Sequence, residues 1–327
     1  MSTSPDTPGR LSELLSASAR RYLFPLFLIV LLFAVGHSIT GGFATLGNIN
    51  NLLTVSCILA VATFAQTFVI LAGDSGIDLS VGSIMSMSAL MVPTICAGEA
   101  SRLPQAVIAS ILVAAVFGFF NAAGVMLIGI PSLVMTFIMS AVVDGFTLSY
   151  TMGQPTGKIP DILLALGQPA FGGVRWILVV TLIIAIVTEL YLRTTRSGQS
   201  IFLVGNNRRA AALCGINVRN TVFLAYMLCA VLAALGGILL VGYSGSSILK
   251  MANSNTMLSV PAAVIGGVNL SGGEGNMLSG FLGAIIFTLL TNLLVAAGLP
   301  NGVRILIQGS ALLVILFVYT RDRKLRQ

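Results

Sequence analysis

Residues 73–83 read GDSGIDLSVGS, and they interrupt a chain that is otherwise strongly apolar. The stretch holds two aspartates, Asp74 and Asp78, and three glycines. Apolar runs lie on both sides of it, so the pattern predicts a break between two helices. Glycine permits the sharp turn that a break requires, and Asp78 or Ser80 is predicted to cap the helix that starts near Val81.

The composition around this stretch indicates a membrane protein. Of the 327 residues, 56% are hydrophobic and 8% are charged, and the mean hydropathy is +1.00. A soluble domain carries about 25% charged residues, so this chain is predicted to be an all-α polytopic protein whose partner is the lipid bilayer. The net charge of +7 is the excess expected from basic cytoplasmic loops, and we predict no nucleic-acid partner.

Stretches of about 20 apolar residues, the length that spans a bilayer, recur along the chain. We count about ten candidate spans, some of them broken or re-entrant: 22–40, 51–72, 79–97, 104–128, 131–152, 174–192, 220–243, 254–270, 278–298 and 303–320. The segment 254–270 is the weakest, because it is short and contains Pro261, and a broken or re-entrant segment is the alternative there.

The basic residues predict the orientation of these spans. With ten spans, twelve of the 17 Lys and Arg residues fall on the side of the two termini and five fall on the other side. Because basic residues accumulate in cytoplasmic loops, both termini are predicted to be cytoplasmic. The domain organisation is then a cytoplasmic tail, 1–21, a transmembrane domain, 22–320, and a basic cytoplasmic tail, 321–327.

Part of the stretch 73–83 recurs later in the chain as an internal repeat, which we call the echo. Residues 76–82 read GIDLSVG and residues 267–273 read GVNLSGG. Paired glycine-rich breaks point to a repeat and to a transport pathway, and Asn269 or Ser271 is predicted to cap the helix before 278. Two hypotheses stay open: the breaks line a moving pathway, or they are capped turns that join its walls. Six predicted spans separate the copies, which places both on one side unless a segment is re-entrant.

The longest predicted cytoplasmic connection, 193–219, contains NNRRAAALCGI at 206–216. Asn206 or Asn207 is predicted as the N-cap of a short helix and Gly215 as its C-cap. A helix this short anchors little in a membrane, so docking of a cytoplasmic partner is favoured over an interfacial role.

Few polar residues lie within the predicted spans. Asp144 is an ionisable residue inside an apolar run, a functional candidate by default, as a pathway residue, a partner for a distant Arg, or an interfacial residue. Asn121 is expected to join helices, and Glu189 to pair with Arg193 at i+4. One histidine and four scattered cysteines predict no metal site, and the chain carries no ATP-binding P-loop and no catalytic motif.

Three sequence blocks resemble one family, the permease subunits of bacterial ABC sugar importers of the ribose/xylose/galactose type, within the branched-chain amino-acid permease superfamily. The resemblance spans roughly residues 45–320 and rests on GDSGIDLSVGSIM, on TRSGQSIFLVGNNRRAAALCGINV and on AAVIGGVNLSGGEGNMLSGFLGA. The matching positions of the second block are Gly198, Gly205, Asn207, Ala210, Ala211, Gly215 and Ile216. In the third block they are Gly266, Gly267, Gly272, Gly273 and Gly275.

The chain also departs from the family pattern. Cys214 replaces the usual serine, Asp144 precedes Gly145 where the family often has Arg-Gly, and Glu274 stands where a basic residue is common. Pro261 replaces a more usual apolar residue. The change at Asp144 puts an inherited role of that position in doubt.

The resemblance implies a function and a set of partners. The chain would be the permease subunit of an ATP-driven importer that moves a sugar or related small polar solute across the bacterial inner membrane, with no enzymatic activity or cofactor of its own. Its partners would be a second, identical or related permease subunit, a cytoplasmic ATPase that binds ATP and Mg²⁺, and a periplasmic sugar-binding protein. Residues 205–216 would form the coupling helix that docks on the ATPase.

An ion-coupled secondary transporter is the alternative function, with Asp78 or Asp144 coupling cation flux to solute entry. The 193–219 loop favours the ATP-driven importer, because a secondary transporter needs no ATPase dock. The pathway candidates common to both hypotheses are Asp78, Ser80, Asn121, Asp144 and Asn269.

Overall fold

The computed structural model describes residues 9–155, 157–310 and 313, and the side-chain surroundings of all of these except residues 9–21 and 171. The described chain is mainly helical. Its helices are α1 (Gly9–Ile39), α2 (Leu46–Leu71), α3 (Val81–Cys96), α4 (Leu103–Ala123), α5 (Ser132–Tyr150), α6 (Asp161–Leu164), α7 (Trp176–Thr194), α8 (Arg196–Asn206), α9 (Arg208–Leu213), α10 (Val218–Ser244), α11 (Asn253–Ile265) and α12 (Met277–Ala296). Residues 301–310 are also helical.

Seven helical segments among the described residues are long and apolar enough to cross a membrane. They are Tyr22–Ile39, Leu46–Leu71, Ala100–Ile128, Ser132–Tyr150, Trp176–Thr194, Val218–Ser244 and Met277–Ala296. The predicted spans 79–97 and 254–270 correspond to shorter helices, the 16-residue α3 and the 13-residue α11, which contains Pro261. The polytopic helical fold is confirmed, whereas the count of ten stays a prediction, since 303–320 lies partly outside the described residues.

Helix α2 forms the centre of the bundle. Its sequence is apolar on all sides, and every residue from Ser56 to Leu71 is buried, as expected of a helix surrounded by protein. Helices α7, α10, α11 and α12 pack around it, while α10 also packs against α3 and α4.

Glycines allow some of these helices to approach closely. A Cβ atom on Gly237 would collide with the carbonyl oxygen of Met85, and one on Gly283 with that of Ala262. Small residues let membrane helices bring their backbones together, and both glycines act in this way. Gly280 differs, since a Cβ there would meet Thr63 at an ordinary 3.4 Å.

The long connection 153–173 contains local structure. It holds α6, one 3₁₀ turn and the strand Pro169–Phe171, which pairs antiparallel with Val174–Arg175. Leu163 of α6 is buried against the end of α10, where Gly242 lies next to its carbonyl oxygen.

Candidate coupling and transport site

The two aspartates of GDSGIDLSVGS lie in different environments. The side chain of Asp74 is 71% exposed and pairs with Arg208 at the start of α9, 2.9 Å between Oδ2 and Nη1. The side chain of Asp78 is fully buried. The connection between α2 and α3 therefore runs from the surface into the interior of the bundle, and α3 begins inside it.

Asp78 is held by donors from three helices and from its own turn. Its Oδ1 accepts from the backbone N–H of Ser80 at 2.8 Å and from the Ser80 hydroxyl. Its Oδ2 faces Asn121 Nδ2 at 3.5 Å and Cys229 Sγ at 3.7 Å. With the amide of Gln66 oriented to satisfy both partners, Gln66 bonds the backbone N–H and C=O of Asp78 at 2.9 and 3.0 Å.

This network brings together three predicted pathway candidates, Asp78, Ser80 and Asn121, since Asn121 Nδ2 also donates to Ser80 Oγ at 2.9 Å. All three are fully buried, so their role in a pathway stays a prediction. The predicted capping differs from what is observed, because Ser80 occupies the N-cap position without a side-chain bond to the helix. The carboxylate of Asp78 instead closes a turn onto Ser80, two residues ahead.

The echo at GVNLSGG repeats this turn. Asn269 Oδ1 accepts from the backbone N–H of Ser271 at 3.0 Å, as Asp78 does from Ser80. The predicted capping of the next helix by Asn269 or Ser271 is wrong. Asn276 caps α12 instead, and its side chain accepts from the N–H groups of Leu278 and Ser279.

Four glycines from three segments meet at one end of the bundle, and we name Gly73, Gly205, Gly272 and Gly273 the glycine junction. The N–H of Gly273 donates to the carbonyl oxygen of Leu71, the last residue of α2, at 3.0 Å. A Cβ on Gly205 would collide with the same oxygen and would lie 2.6 Å from Gly273 N. The connection after α2, the second copy of the echo and the 193–219 connection therefore meet at the same end.

A second set of contacts ties α7 and α12 to this end. Glu189 and Arg193 form the predicted ion pair, with 2.8 Å between Oε1 and Nε. Glu189 Oε2 also accepts from the N–H of Met277, in the first turn of α12, at 2.8 Å, where a carboxylate is favoured by the helix dipole. Arg193 Nη2 donates to the carbonyl oxygen of Gly275 at 3.0 Å.

The predicted coupling segment forms a short capped helix attached to the junction. Asn207 caps α9 and accepts from the N–H groups of Arg209 and Ala210, each at 3.0 Å, which confirms the predicted cap. At the other end Gly215 has a φ of +82°, and the N–H of Ile216 donates back to Ala211 at 3.0 Å, as helix ends with glycine do.

Some of the predicted coupling residues are buried and others are exposed. Gly205 belongs to the end of α8 and packs within the junction, and Ala211 is buried. Ala210 and Gly215 are exposed, and Ile216 is half-buried. Leu213, which the sequence did not single out, is 90% exposed at the end of α9, and its neighbour Cys214 is exposed as well.

Asp144 lies apart from the junction, on α5. Its Oδ2 is 3.3 Å from Lys250 Nζ and 3.4 Å from Asn253 Nδ2. The predicted partnership with a distant cation is therefore observed, with Lys250 rather than an arginine, and a role of Asp144 in the pathway stays a prediction. No sequence motif connects these positions, which are brought together because α3 packs against both α5 and α11.

Among the residues that the structure describes, no group of three or more His, Cys, Asp or Glu is placed to hold a metal ion.

Comparison with known proteins gives a family match over most of the chain. Residues 48–316 match the family model described as branched-chain amino acid transport system / permease component. The matched region contains the glycine junction, α9 and both copies of the echo.

Individual relatives are similar over nearly their whole length. The ribose import permease protein RbsC of Escherichia coli is 29% identical over 317 residues, which cover 93% of this chain and 97% of the relative. The autoinducer 2 import system permease protein LsrC of Klebsiella pneumoniae is 32% identical over 307 residues, covering 94% of this chain and 88% of the relative. A probable ABC transporter permease protein of Sinorhizobium fredii is 28% identical over 325 residues.

Proposed function

The chain belongs to the branched-chain amino acid transport system permease family, and on that basis we propose that it is the transmembrane subunit of an ATP-driven importer for a sugar or a related small polar solute. The family and the seven apolar helices make it a multi-pass protein of the inner membrane. Similarity to permeases named for ribose and for autoinducer 2 import supports the choice of cargo class.

One observation carries the proposal: α9 is a short helix capped at both ends, attached directly to the glycine junction, and its last residue is an apolar side chain with almost no contact to the rest of the chain. Burial of an exposed leucine by a partner protein is favourable, so the end of α9 is suited to docking. We assign that partner as the cytoplasmic ATPase, which would bind the ATP and Mg²⁺ that drive transport.

The proposal requires the junction end of the bundle to be cytoplasmic. The connection with α8 and α9 carries Arg196, Arg208 and Arg209, and Tyr22, at the start of the first span, contacts Asn276 beside the junction. A basic connection and the N-terminal side of the chain thus share one end, in keeping with the positive-inside rule. A second permease subunit and a periplasmic sugar-binding protein complete the proposed importer.

Uptake by reconstituted vesicles tests this function. We expect the complete complex, with its binding protein and labelled D-ribose, D-xylose or D-galactose outside, to accumulate one of the sugars only when ATP is supplied on the α9 side. Vesicles with a proton or sodium gradient but no ATP serve as the control. Uptake that needs the gradient and not ATP would contradict the proposal and favour a secondary transporter.

A further inference from the structure

A cavity of about 300 Å³ lies between α3, α5 and the segment that precedes α11. Its lining includes Ser86 on α3, Asp144, Gly145 and Thr147 on α5, and Lys250. This volume is at the lower end of the range for small-molecule sites in proteins, about 300–1,000 Å³. The cavity is distinct from the glycine junction and from the buried Asp78 network, whose residues do not line it.

The two charged residues that line the cavity have opposite charges, and their hydrogen-bonding groups are only partly used. Asp144 is 19% exposed and Lys250 is 66% exposed. Both contacts of the carboxylate, to Lys250 and to Asn253, are made by Oδ2, which leaves Oδ1 for a further donor. An ammonium group carries three N–H donors, so Lys250 also has donors available after pairing with Asp144.

The backbone supports a specific position for Lys250. Its φ is +60°, a left-handed conformation that a lysine adopts at a cost and that persists where the surrounding contacts enforce it. The carbonyl oxygen of Lys250 accepts from the N–H of Asn253, and Ser86 Oγ accepts from the N–H of Ala252 at 3.0 Å. The start of α11 is thereby fixed beside the cavity.

The cavity lies beside a candidate membrane span, so either lipid, protein or a water-filled path must border it. Asp144 lies within the candidate span Ser132–Tyr150, and Ala141 and Leu148, on the same rim, are exposed. A charge pair that faces lipid within a span is costly, so ionisable residues in spans face protein or a water-filled path. The cavity is therefore expected to open onto a path for polar solute.

We propose that Asp144 and Lys250 recognise the cargo, with Oδ1 of Asp144 accepting from one hydroxyl of a neutral sugar and Lys250 donating to the adjacent hydroxyl. The charges of the pair cancel, so the site suits a neutral polyhydroxylated solute, whereas a charged one would leave a net charge uncompensated. The inference rests on the proposed import of sugar and adds the residues that contact the cargo.

The test measures uptake of D-ribose, D-xylose and D-galactose by the complete importer in vesicles. Asp144→Asn is expected to lower uptake of the transported sugar about tenfold or more, because it weakens a charge-assisted hydrogen bond. The matched control is Glu99→Gln, which removes a carboxylate from the half-exposed pair with Arg102 on the α3–α4 connection and is expected to leave uptake within about twofold of wild type.

A reversed pair, Asp144→Lys with Lys250→Asp, separates recognition from a merely structural ion pair. A structural pair works in either orientation, so the reversed pair would restore uptake. A recognition pair would not, because its acceptor is then on the more exposed position. Restored uptake in the reversed pair, or unchanged uptake in Asp144→Asn, overturns the inference.

Thiol modification gives a readout that does not depend on turnover. In right-side-out vesicles, an impermeant thiol reagent is expected to modify Leu249→Cys, which lines the same cavity without belonging to the pair, more slowly when the binding protein and its sugar are present. Ser246→Cys, on the same connection but outside the cavity, is expected to react at the same rate with and without sugar. An unprotected Leu249→Cys overturns the inference, whereas a wild-type complex that imports none of the sugars overturns the proposed function itself.

Discussion

Replacing Gly205 with alanine is expected to reduce ATP-driven sugar uptake to about a tenth of wild type or less, since the added methyl group forces the glycine junction apart. A Cβ at this position collides with the carbonyl oxygen of Leu71 and lies 2.6 Å from the backbone N of Gly273. Both neighbours are backbone atoms of other segments, so neither can rotate away as a side chain would. Overpacking of this kind costs about 1–3 kcal/mol.

The clash at position 205 is expected to displace three parts of the molecule. The hydrogen bond between Gly273 and Leu71, 3.0 Å long, joins the end of α2 to the second copy of the echo, and the clash falls on both of its atoms. We expect the spacing between α8, α2 and the GVNLSGG turn to change, which moves α9 relative to the bundle. Sugar-stimulated ATP hydrolysis is expected to fall together with uptake.

Gly47→Ala is the matched control for this substitution. Gly47 lies in the first turn of α2, and a Cβ built there meets no atom within 4 Å. Its uptake is expected to equal that of wild type. Membrane-inserted protein and its thermal unfolding are measured for both variants, so that a folding defect is recognised. Normal uptake in Gly205→Ala would show that close contact at the junction is not required to couple ATP hydrolysis to transport.

The second large effect is expected at Leu213. Replacement by aspartate should weaken binding of the ATPase to the permease about tenfold or more and remove sugar-stimulated ATP hydrolysis, because burying a leucine contributes about 1.5–3 kcal/mol and burying an unpaired carboxylate is costly. Binding is measured by titrating the purified ATPase onto the permease in lipid nanodiscs. Insertion of the permease is expected to be unchanged, since Leu213 makes little contact with its own chain.

Met152→Asp controls for the loss of an exposed apolar side chain. Met152 is 91% exposed, almost the same as Leu213, but it lies in the connection after α5, away from the junction. It is expected to bind the ATPase as wild type does. Equal weakening by both substitutions, or none by Leu213→Asp, would contradict docking through α9.

Much of the fold follows from patterns that are visible in the sequence. Apolar runs of span length predicted the long helices, and the N-cap at Asn207 and the helix end at Gly215 predicted α9, because these features depend on neighbouring residues only. The ion pair between Glu189 and Arg193, four residues apart on α7, was predictable for the same reason.

The remaining features depend on contacts between distant segments. Asp74 and Asp78 are four residues apart and look alike in the sequence, yet one reaches Arg208 on α9 and the other is buried among donors from α2, α4 and α10. The choice of Asn276 over Asn269 as the cap of α12 depends on where the helix begins after a glycine-rich turn. Lys250 was missed as the partner of Asp144 because the two residues lie on distant segments and no local pattern connects them.

Gly205 and Gly215 show the same limit within one motif. Both match the family pattern, but a Cβ on Gly215 meets no atom within 4 Å, and its requirement for glycine comes from its φ of +82°. Substitution there costs roughly 1 kcal/mol of backbone strain, whereas Gly205 is required by the close approach of two other segments. Only the structure separates these two reasons for a glycine.

Labelling of Cys214 tests the central claim, that α9 is the cytoplasmic docking helix, most directly. Cys214 directly follows α9 and is exposed, while Cys57, Cys96 and Cys229 are buried, so an impermeant maleimide applied to the native chain reports on α9. We predict labelling in inside-out vesicles, none in right-side-out vesicles, and protection of Cys214 when the ATPase is bound. Labelling from the outside, or a rate that the bound ATPase does not change, would contradict the claim.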